Sequence, residues 1–322
     1  MEKQLIHKVC KLYYIDNLTQ RTIGDRLGIS RMKVSRLLYE ARREGLVEIK
    51  LNFGSTEHAE IEGEIERRFA IRDCKVVPAY ENTEQMLREM AVALADILDR
   101  FLADTTIVGV SWGTTLEGMA KHLKLKKKYD VKIIPIVGAV GLEGSGSYTN
   151  YVTRSFAEKI GGINYTINVP AVVNSKEEKA VMENVSSTQQ IIDLAKRASL
   201  LLVGMSDATI ASSLGKTGNF RQEEIDYLQD LGVIGNVNLV FINADGEHVD
   251  NRVEERIVRI LTPEKMKKVK VRIGIAFGES KIGVITSALQ GKWINVLVTD
   301  EETAKQVLRK EMAHEKGSAD WN

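Results

Sequence analysis

The sequence predicts an α/β protein in two parts: a helical N-terminal domain built on a helix-turn-helix, and a larger C-terminal domain with a mainly parallel sheet. Residues 17 to 46 spell two capped helices separated by a glycine turn. From Cys74 onward, short apolar runs alternate with amphipathic stretches, the pattern of strands joined by crossover helices. The chain length of 322 residues is room for two domains.

In the first part, Thr19 is an N-cap for a helix over Gln20–Leu27. Ile23 and Leu27, four apart, share one face, and Gly24 between them permits close approach of a second helix. Gly28 ends the helix as a left-handed residue would. Ser30 then caps a second helix over Arg31–Arg43, with Val34, Leu37, Leu38 and Ala41 facing inward. Its opposite face carries Arg31, Lys33, Ser35 and Arg36, long cations and a hydroxyl near a helix N-terminus, the part that meets bases and phosphates in a major groove. Gln20, Arg21 and Ser30 complete the expected DNA-contacting set. Val9, Leu12 and Tyr13 give a preceding helix its packing face, and Leu46–Leu51 alternates at period two, a strand that could form a small wing. The competing reading is a small helical hairpin with a solvated basic face. Local charge argues against it: residues 1–52 hold eleven Lys and Arg against six Asp and Glu, while the whole chain is +1. A basic end on a mildly acidic body suits phosphate binding at that end.

An apolar fraction of 43% supports a packed core, and 28% charged residues with four prolines fit an ordered, soluble chain. No apolar run approaches the roughly 20 residues that span a bilayer, and the first residues have no signal-peptide core. Cys10 and Cys74 fall in different predicted domains, so no disulfide is expected, and a reduced, cytoplasmic location follows. The five histidines are scattered without metal-ligand spacing. No metal, cofactor or membrane is expected.

The expected boundaries are 1–53 for the DNA-binding domain, 54–72 for a connector helix with Ile61, Ile65 and Phe69 in step, and 73–322 for the body. The connector could help pair subunits. In the body, strands are expected at Lys75–Val77, Thr106–Val110, Val131–Val137, Leu200–Val203, Val237–Ile242, Val271–Phe277 and Ile294–Val298, with a strong helix over Met86–Phe101. Ligands of such sheets bind beyond the carboxyl ends of the strands. Four loops lie there. Ser111-Trp112-Gly113-Thr114-Thr115 joins a strand to a helix and offers hydroxyls, an uncovered glycine N–H and a helix N-terminus, a cradle for phosphate or carboxylate or an ordinary capped turn. It is neither a dinucleotide nor a Walker motif. Val137–Asn150 is glycine-rich and leads to a helix with Asn150 and Arg154, which could reach a polyol or phosphate; a plain surface loop reads equally well. The third is Val203–Asp207, with Thr209 and Ser212 following; the fourth, Ala276–Lys281, places Lys281 at a helix start, which the helix dipole disfavours unless an anion is present.

These segments resemble the SorC family of sugar-binding bacterial transcriptional regulators, over nearly the whole chain. The resemblance rests on Leu12-Tyr13-Tyr14, Leu18-Thr19-Gln20, Leu27–Arg31, Val34–Leu38, Val108–Thr115 and Leu289–Asp300. It implies a Rossmann-like effector domain related to sugar-phosphate isomerases and deaminases, a phosphorylated sugar or related metabolite as effector, operator DNA as partner, and homo-oligomers, dimers or tetramers. It places Ser111, Gly113, Thr114 and Thr115 in an anion cradle closed by Lys281, with Arg154 nearby. The sequence departs from the family's pattern in three places. Asn236 stands where an acidic residue is common, Gly204-Met205-Ser206 replaces a Gly-Ile-Gly, and no lysine flanks Gly138, which excludes an imine there. The expectation is a regulator of carbohydrate genes whose operator affinity a sugar-like metabolite controls. The alternative is an isomerase or deaminase with an appended DNA module, for which Glu117, Glu143, Asp207 and Glu279 are the candidate bases.

Overall fold

The computed structural model describes residues 2–47, 56–142, 145–212 and 214–319. It divides into two compact units, Met1–Thr56 and Glu57–Asn322.

The first unit contains α1 (Glu2–Cys10), which runs into a wider turn at Lys11–Ile15, then α2 (Gln20–Leu27) and α3 (Arg31–Arg43). Its core is Ile6, Val9, Leu12, Ile23, Val34, Leu37, Leu38 and Ala41, so the inward stripes read from helical spacing are the buried ones. The helix boundaries follow from caps. Thr19 Oγ1 accepts from Thr22 N at 3.2 Å, Ser30 Oγ accepts from Lys33 N at 3.2 Å, and Gly28 lies at φ 64°. Gly24 is obligatory for the turn: a Cβ there would sit 2.7 Å from the Ile29 carbonyl oxygen. Of the expected wing, Leu46 and Val47 form a bend, and residues 48–51 lie outside the described residues.

The second unit runs in chain order through α4 (Thr56–Phe69), β1 (Asp73–Val77), α5 (Thr83–Phe101), β2 (Ile107–Val110), α6 (Thr114–His122), β3 (Lys132–Pro135), β4 (Gly141–Leu142), β5 (Ser145–Ser147), α7 (Tyr148–Ile160) and β6 (Ile163–Asn164). It continues with α8 (Lys176–Asn184), α9 (Ser186–Ala195), β7 (Leu200–Asp207), α10 (Gln222–Asp230), β8 (Gly235–Val237), β9 (Val240–Ile242), α11 (Pro263–Lys268), β10 (Val271–Ile275), α12 (Ile282–Gln290), β11 (Val296–Asp300) and α13 (Glu301–Ala319). The main sheet has the order β1-β11-β10-β7-β2-β3-β6, parallel throughout, with β8 and β9 continuing antiparallel from the far end of β7.

Because successive strand residues face opposite ways, each strand feeds two cores. Val108, Val110, Leu200 and Leu202 pack with α5, α6 and α7 on one face. Ile107, Leu201, Val203 and Leu297 pack with α4, α9, α12 and α13 on the other. The strands are therefore nearly continuous apolar runs, as a sheet covered on both faces requires.

Val237–Ile242, expected as one strand, is two. Asn238 at φ 53° and Leu239 at φ 60° turn the chain back, and Val237 pairs with Val240. These paired left-handed residues suit a tight hairpin, a conformation more often held by Asn-Gly.

The sheet edge at β1 is closed by side chains of α4. Glu62 Oε1 accepts from Val76 N at 3.0 Å, Glu66 Oε1 accepts from Cys74 N at 2.9 Å, and Glu62 Oε2 also meets Lys75 Nζ at 3.1 Å. An exposed edge is a template for unwanted strand pairing, and carboxylates on its amides remove that template. Replacing both Glu62 and Glu66 by Ala should lower unfolding free energy by about 1–3 kcal/mol, read as a drop in urea midpoint, because charge-assisted bonds to partly buried amides are lost.

Candidate functional sites

In the helix-turn-helix, the buried stripe of α3 leaves Arg31, Lys33, Ser35 and Arg36 exposed. Ser30 uses its hydroxyl as the cap of α3, so it serves the helix geometry first. Arg36 lies 3.5 Å from Glu40, an exposed pair one turn apart that a phosphate could outcompete. Arg31 also lines an open groove of about 700 Å³ with Tyr13, Tyr14, Thr19, Gln20 and Arg21. Cations, an amide and two phenols thus share a concavity at the adjacent starts of α2 and α3. Helix N-termini and arginines together bind phosphates, and the first turns of α3 present side chains to base edges.

The second site follows from the topology. From β2 the chain proceeds to β3 and β6 on one side, and β7 returns to the other side of β2 before β10 and β11 continue outward. Strand order therefore reverses between β2 and β7, and a crevice opens where the two following loops part. A narrow, open-mouthed pocket lies there, lined from the ends of β2, β7, β8 and β10. The loop after β2 contributes Ser111, Gly113, Thr114 and Thr115; β7 contributes Gly204 and Ser206; the hairpin contributes Asn236 and Asn238; and the turn after β10 contributes Lys281.

Two glycines make the pocket. Gly113 lies at φ 141°, a conformation L side chains rarely adopt, and starts α6 with no atom within 4 Å of where a Cβ would be. Its backbone and the first amides of α6 are thus bare to a ligand, and a helix start lacks intrahelical partners for such amides. Gly204 lets β7 approach the cradle: a Cβ there would meet the Trp112 carbonyl oxygen at 2.8 Å.

Lys281 is half-buried; its backbone N–H donates to the Gly278 carbonyl at 3.0 Å, and among the described residues its ammonium makes no ion pair or hydrogen bond. Desolvation lowers its ammonium pKa and the charge of Asp207 opposes that shift. Ser206, 6% exposed, has an Oγ with no hydrogen-bond partner. Asn236 donates to the Ser206 carbonyl at 3.3 Å and accepts from Leu239 N at 3.1 Å. Asn238 accepts from the Ser111 hydroxyl at 2.7 Å and donates to the Ile136 carbonyl at 3.3 Å.

Behind the hairpin lies a buried ion cluster. Glu254 Oε2 meets Arg259 at 2.7 Å and His248 at 2.8 Å, and Glu254 Oε1 accepts from Phe241 N at 3.1 Å. Arg259 also donates to the Leu239 carbonyl at 3.1 Å. Burial alone would raise the Glu254 pKa; His248 and Arg259 outweigh it and hold the carboxyl below the ordinary range.

Of the expected effector-binding residues, the pocket gathers Ser111, Gly113, Thr114, Thr115, Asn236 and Lys281. Three sit elsewhere. Gly138 is packed against the next segment, where a Cβ would lie 2.5 Å from the Pro170 carbonyl oxygen. Asn150 clasps the backbone of Ile167, donating at 2.7 Å and accepting at 2.9 Å. Arg154 is exposed on α7. Ser206 lies in the Val203–Asp207 loop expected at the ligand edge, though without an assigned role of its own, and Asn238 is a pocket residue hidden inside an expected strand.

Among the described residues lining the pocket, none is a carboxylate or a histidine. Glu117 accepts from Tyr148 at 2.8 Å and pairs with Lys121 at 2.7 Å, and the same contact with burial holds the Tyr148 phenol well above its ordinary range. Asp207 accepts from Thr209 at 2.9 Å, Glu279 is exposed, and Glu143 lies outside the described residues.

A basic helix-turn-helix joined to a parallel-sheet domain with a ligand crevice defines a ligand-responsive DNA-binding regulator. The family described as "Putative sugar-binding domain" matches residues 55–309, and "Sigma-70, region 4" matches residues 7–44. The Sorbitol operon regulator of Klebsiella pneumoniae is 30% identical over 316 residues, which is 95% of this chain and 98% of that protein. Transcriptional regulator LsrR of Enterobacter sp. (strain 638) is 29% identical over 95% of this chain and 93% of its own. The crystal structure of the full-length Sorbitol Operon Regulator SorC from Klebsiella pneumoniae matches with a TM-score of 0.73 at 29% identity, covering 95% of this chain and 98% of that one. The chain belongs to the SorC family of sugar-binding transcriptional regulators. It is a DNA-binding regulator with a sugar-binding effector domain, not an enzyme of the isomerase or deaminase class.

Two measurements check these sites. A Lys33→Ala, Arg36→Ala double variant should bind operator DNA more weakly, by about 1–3 kcal/mol for each bidentate base pair lost. If the lost contacts are instead to phosphate, fluorescence anisotropy on nonspecific duplex should show the salt slope falling by about 0.9 per contact. Arg259→Leu leaves the buried Glu254 with only His248 and the Phe241 amide and should destabilise the effector domain by about 3 kcal/mol, read by chemical denaturation.

Proposed function

We propose that the crevice takes a phosphorylated sugar or a closely related anionic metabolite, and that its occupancy sets the affinity of α3 for operator DNA. One observation carries this reading: Lys281, half-buried and without an ion pair among the described residues, lines the same pocket as Gly113, Thr114 and Thr115 at the start of α6. A desolvated ammonium and a helix N-terminus both favour an anion, and together they converge on one small volume. Hydroxyls and amides around it suit a polyhydroxylated body. The Sorbitol operon regulator and LsrR, to which the chain is similar, point the same way.

Within this reading, Thr114, Thr115 and Gly113 supply amides, Lys281 supplies charge, and Ser111 and Asn236 supply polar contacts. Gly138 and Asn150 shape the β3–α7 region through close packing and the clasp on Ile167, and Arg154 lies exposed on α7 outside the crevice lining. Gln20, Arg21, Ser30, Arg31, Lys33, Ser35 and Arg36 form or position the DNA-contacting surface. The regulator acts as a homo-oligomer, dimer or tetramer, since two-fold operators are read by paired helices one turn apart, and it works in the cytoplasm beside its DNA. Ligand control requires different affinities for the DNA-competent and DNA-incompetent states.

A thermal-shift screen of sugar phosphates against the matching free sugars tests the reading. A ligand at a hundredfold excess over Kd should stabilise the protein by about 2.7 kcal/mol; a screen in which free sugars stabilise and phosphates do not would reject it. The pH dependence has a definite sign. Lys281 holds its anion only when protonated, so affinity is full below its lowered pKa and falls as pH rises through it. Calorimetry should show this loss below the range of an ordinary lysine, near pH 10.4, and Lys281→Met should bind weakly with no such slope.

A further inference from the structure

The pocket divides by proton bookkeeping. Asn238 is fixed in orientation, because its amide N–H must face the Ile136 carbonyl at 3.3 Å and not present an oxygen to it. Its carbonyl oxygen therefore faces Ser111 Oγ, 2.7 Å away, and the serine must donate its only proton there. Ser111, 1% exposed, is left with lone pairs alone on the pocket side. Lone pairs repel an anionic oxygen and accept from a hydroxyl.

Ser206 stands beside it with the opposite resource. Its Oγ is buried and unpartnered, free both to donate and to accept. It is the cross-strand partner of Asn236 in the β7–β8 pairing, so the two side chains share a face. Asn236 has used one amide hydrogen on the Ser206 carbonyl and one lone pair on Leu239 N, which leaves one of each. A buried hydroxyl without a partner costs about 1–3 kcal/mol, a penalty that a ligand group bonded to it removes.

We infer that Ser206, with Ser111 and Asn236, forms a hydroxyl-reading subsite that fixes the ligand's direction: the anion at Gly113–Thr115 and Lys281, and a hydroxyl-bearing carbon against Ser206 and Ser111. Ser111 thus belongs to the hydroxyl half and not to the anion cradle. Ser206 is a specificity-determining residue, since a ligand that lacks the hydroxyl leaves its Oγ unpaired. This inference rests on the anionic-ligand reading, yet the two can fail separately.

The test uses the full chain, isothermal calorimetry, and two probes: inorganic phosphate, and the tightest binder from a panel of linear polyol and aldose phosphates. Ser206→Ala should weaken the polyol or aldose phosphate by about tenfold, the worth of one hydrogen bond, and leave inorganic phosphate unchanged. Its ligand-free melting temperature should be equal to or above that of the parent, because an unpaired hydroxyl is removed; a structural serine would lower it. Lys281→Met should weaken both probes. Equal losses for both probes in Ser206→Ala, or no loss for either, would overturn the subsite. Parent protein that binds the free polyol but neither phosphate probe would overturn the anionic reading, and the same Ser206→Ala comparison on the polyol would then decide the subsite.

Discussion

The buried amide of Asn238 is the constraint on which the pocket depends. It bridges Ser111 at the end of β2 and the carbonyl of Ile136 just past β3, residues more than a hundred positions away in sequence. Asn238 can reach both because it sits in the left-handed region at φ 53°, where Asn is among the residues best tolerated. The next residue, Leu239, shares that conformation with no such aptitude. What holds it is behind it: Arg259 donates to the Leu239 carbonyl, and Glu254, paired with Arg259 and His248, accepts from Phe241 N. The backbone strain of the turn is thus offset by a buried ion cluster, and the polarity of the ligand site is a consequence.

The two units use opposite strategies. In the helix-turn-helix every determinant is local: two hydroxyl caps, each three residues from the amide it holds, and a glycine turn. Such a unit can form from near neighbours and present a rigid cationic helix. In the effector domain the site is assembled from the ends of β2, β7 and β10 and from the hairpin, brought together only by the strand-order reversal. Local rigidity suits reading a fixed DNA groove. Long-range assembly suits sensing, because a ligand that bridges several strand ends can bias how they sit.

This difference explains what was legible in the sequence. Caps and glycine turns announce themselves within a few residues, so α2 and α3 could be bounded at Gln20–Leu27 and Arg31–Arg43 from spacing alone. The loop after β2 was equally readable, since Gly113 and the hydroxyls beside it form a recognisable strand-to-helix turn. Val237–Ile242 misled because five of its six residues are apolar or strand-compatible, and the turn depends on the distant Arg259 and Glu254. Asn150 and Gly138 sit near the right sheet edge in sequence, but Ile167 and Pro170, far along the chain, occupy their polar and close-packing capacity. Ser206 falls in a loop expected at the ligand edge, but its own part there depends on an unpaired Oγ that only the fold reveals.

Lys281 and Ser206 are each unfavourable alone, one a desolvated charge and the other an unpaired hydroxyl. Residues that weaken the empty state are those through which a ligand gains most, since binding relieves both penalties together. They come from different elements, the turn before α12 and the end of β7, so the relief is full only when the two hold their relative places. Under the proposed reading, a bound metabolite would favour the arrangement of these strand ends that places both residues on it. That differential affinity is the thermodynamic requirement for a ligand to shift a conformational equilibrium. A neutral sugar would relieve only the hydroxyl and a bare anion only the lysine, so the full bias belongs to a molecule that carries both groups at the right separation.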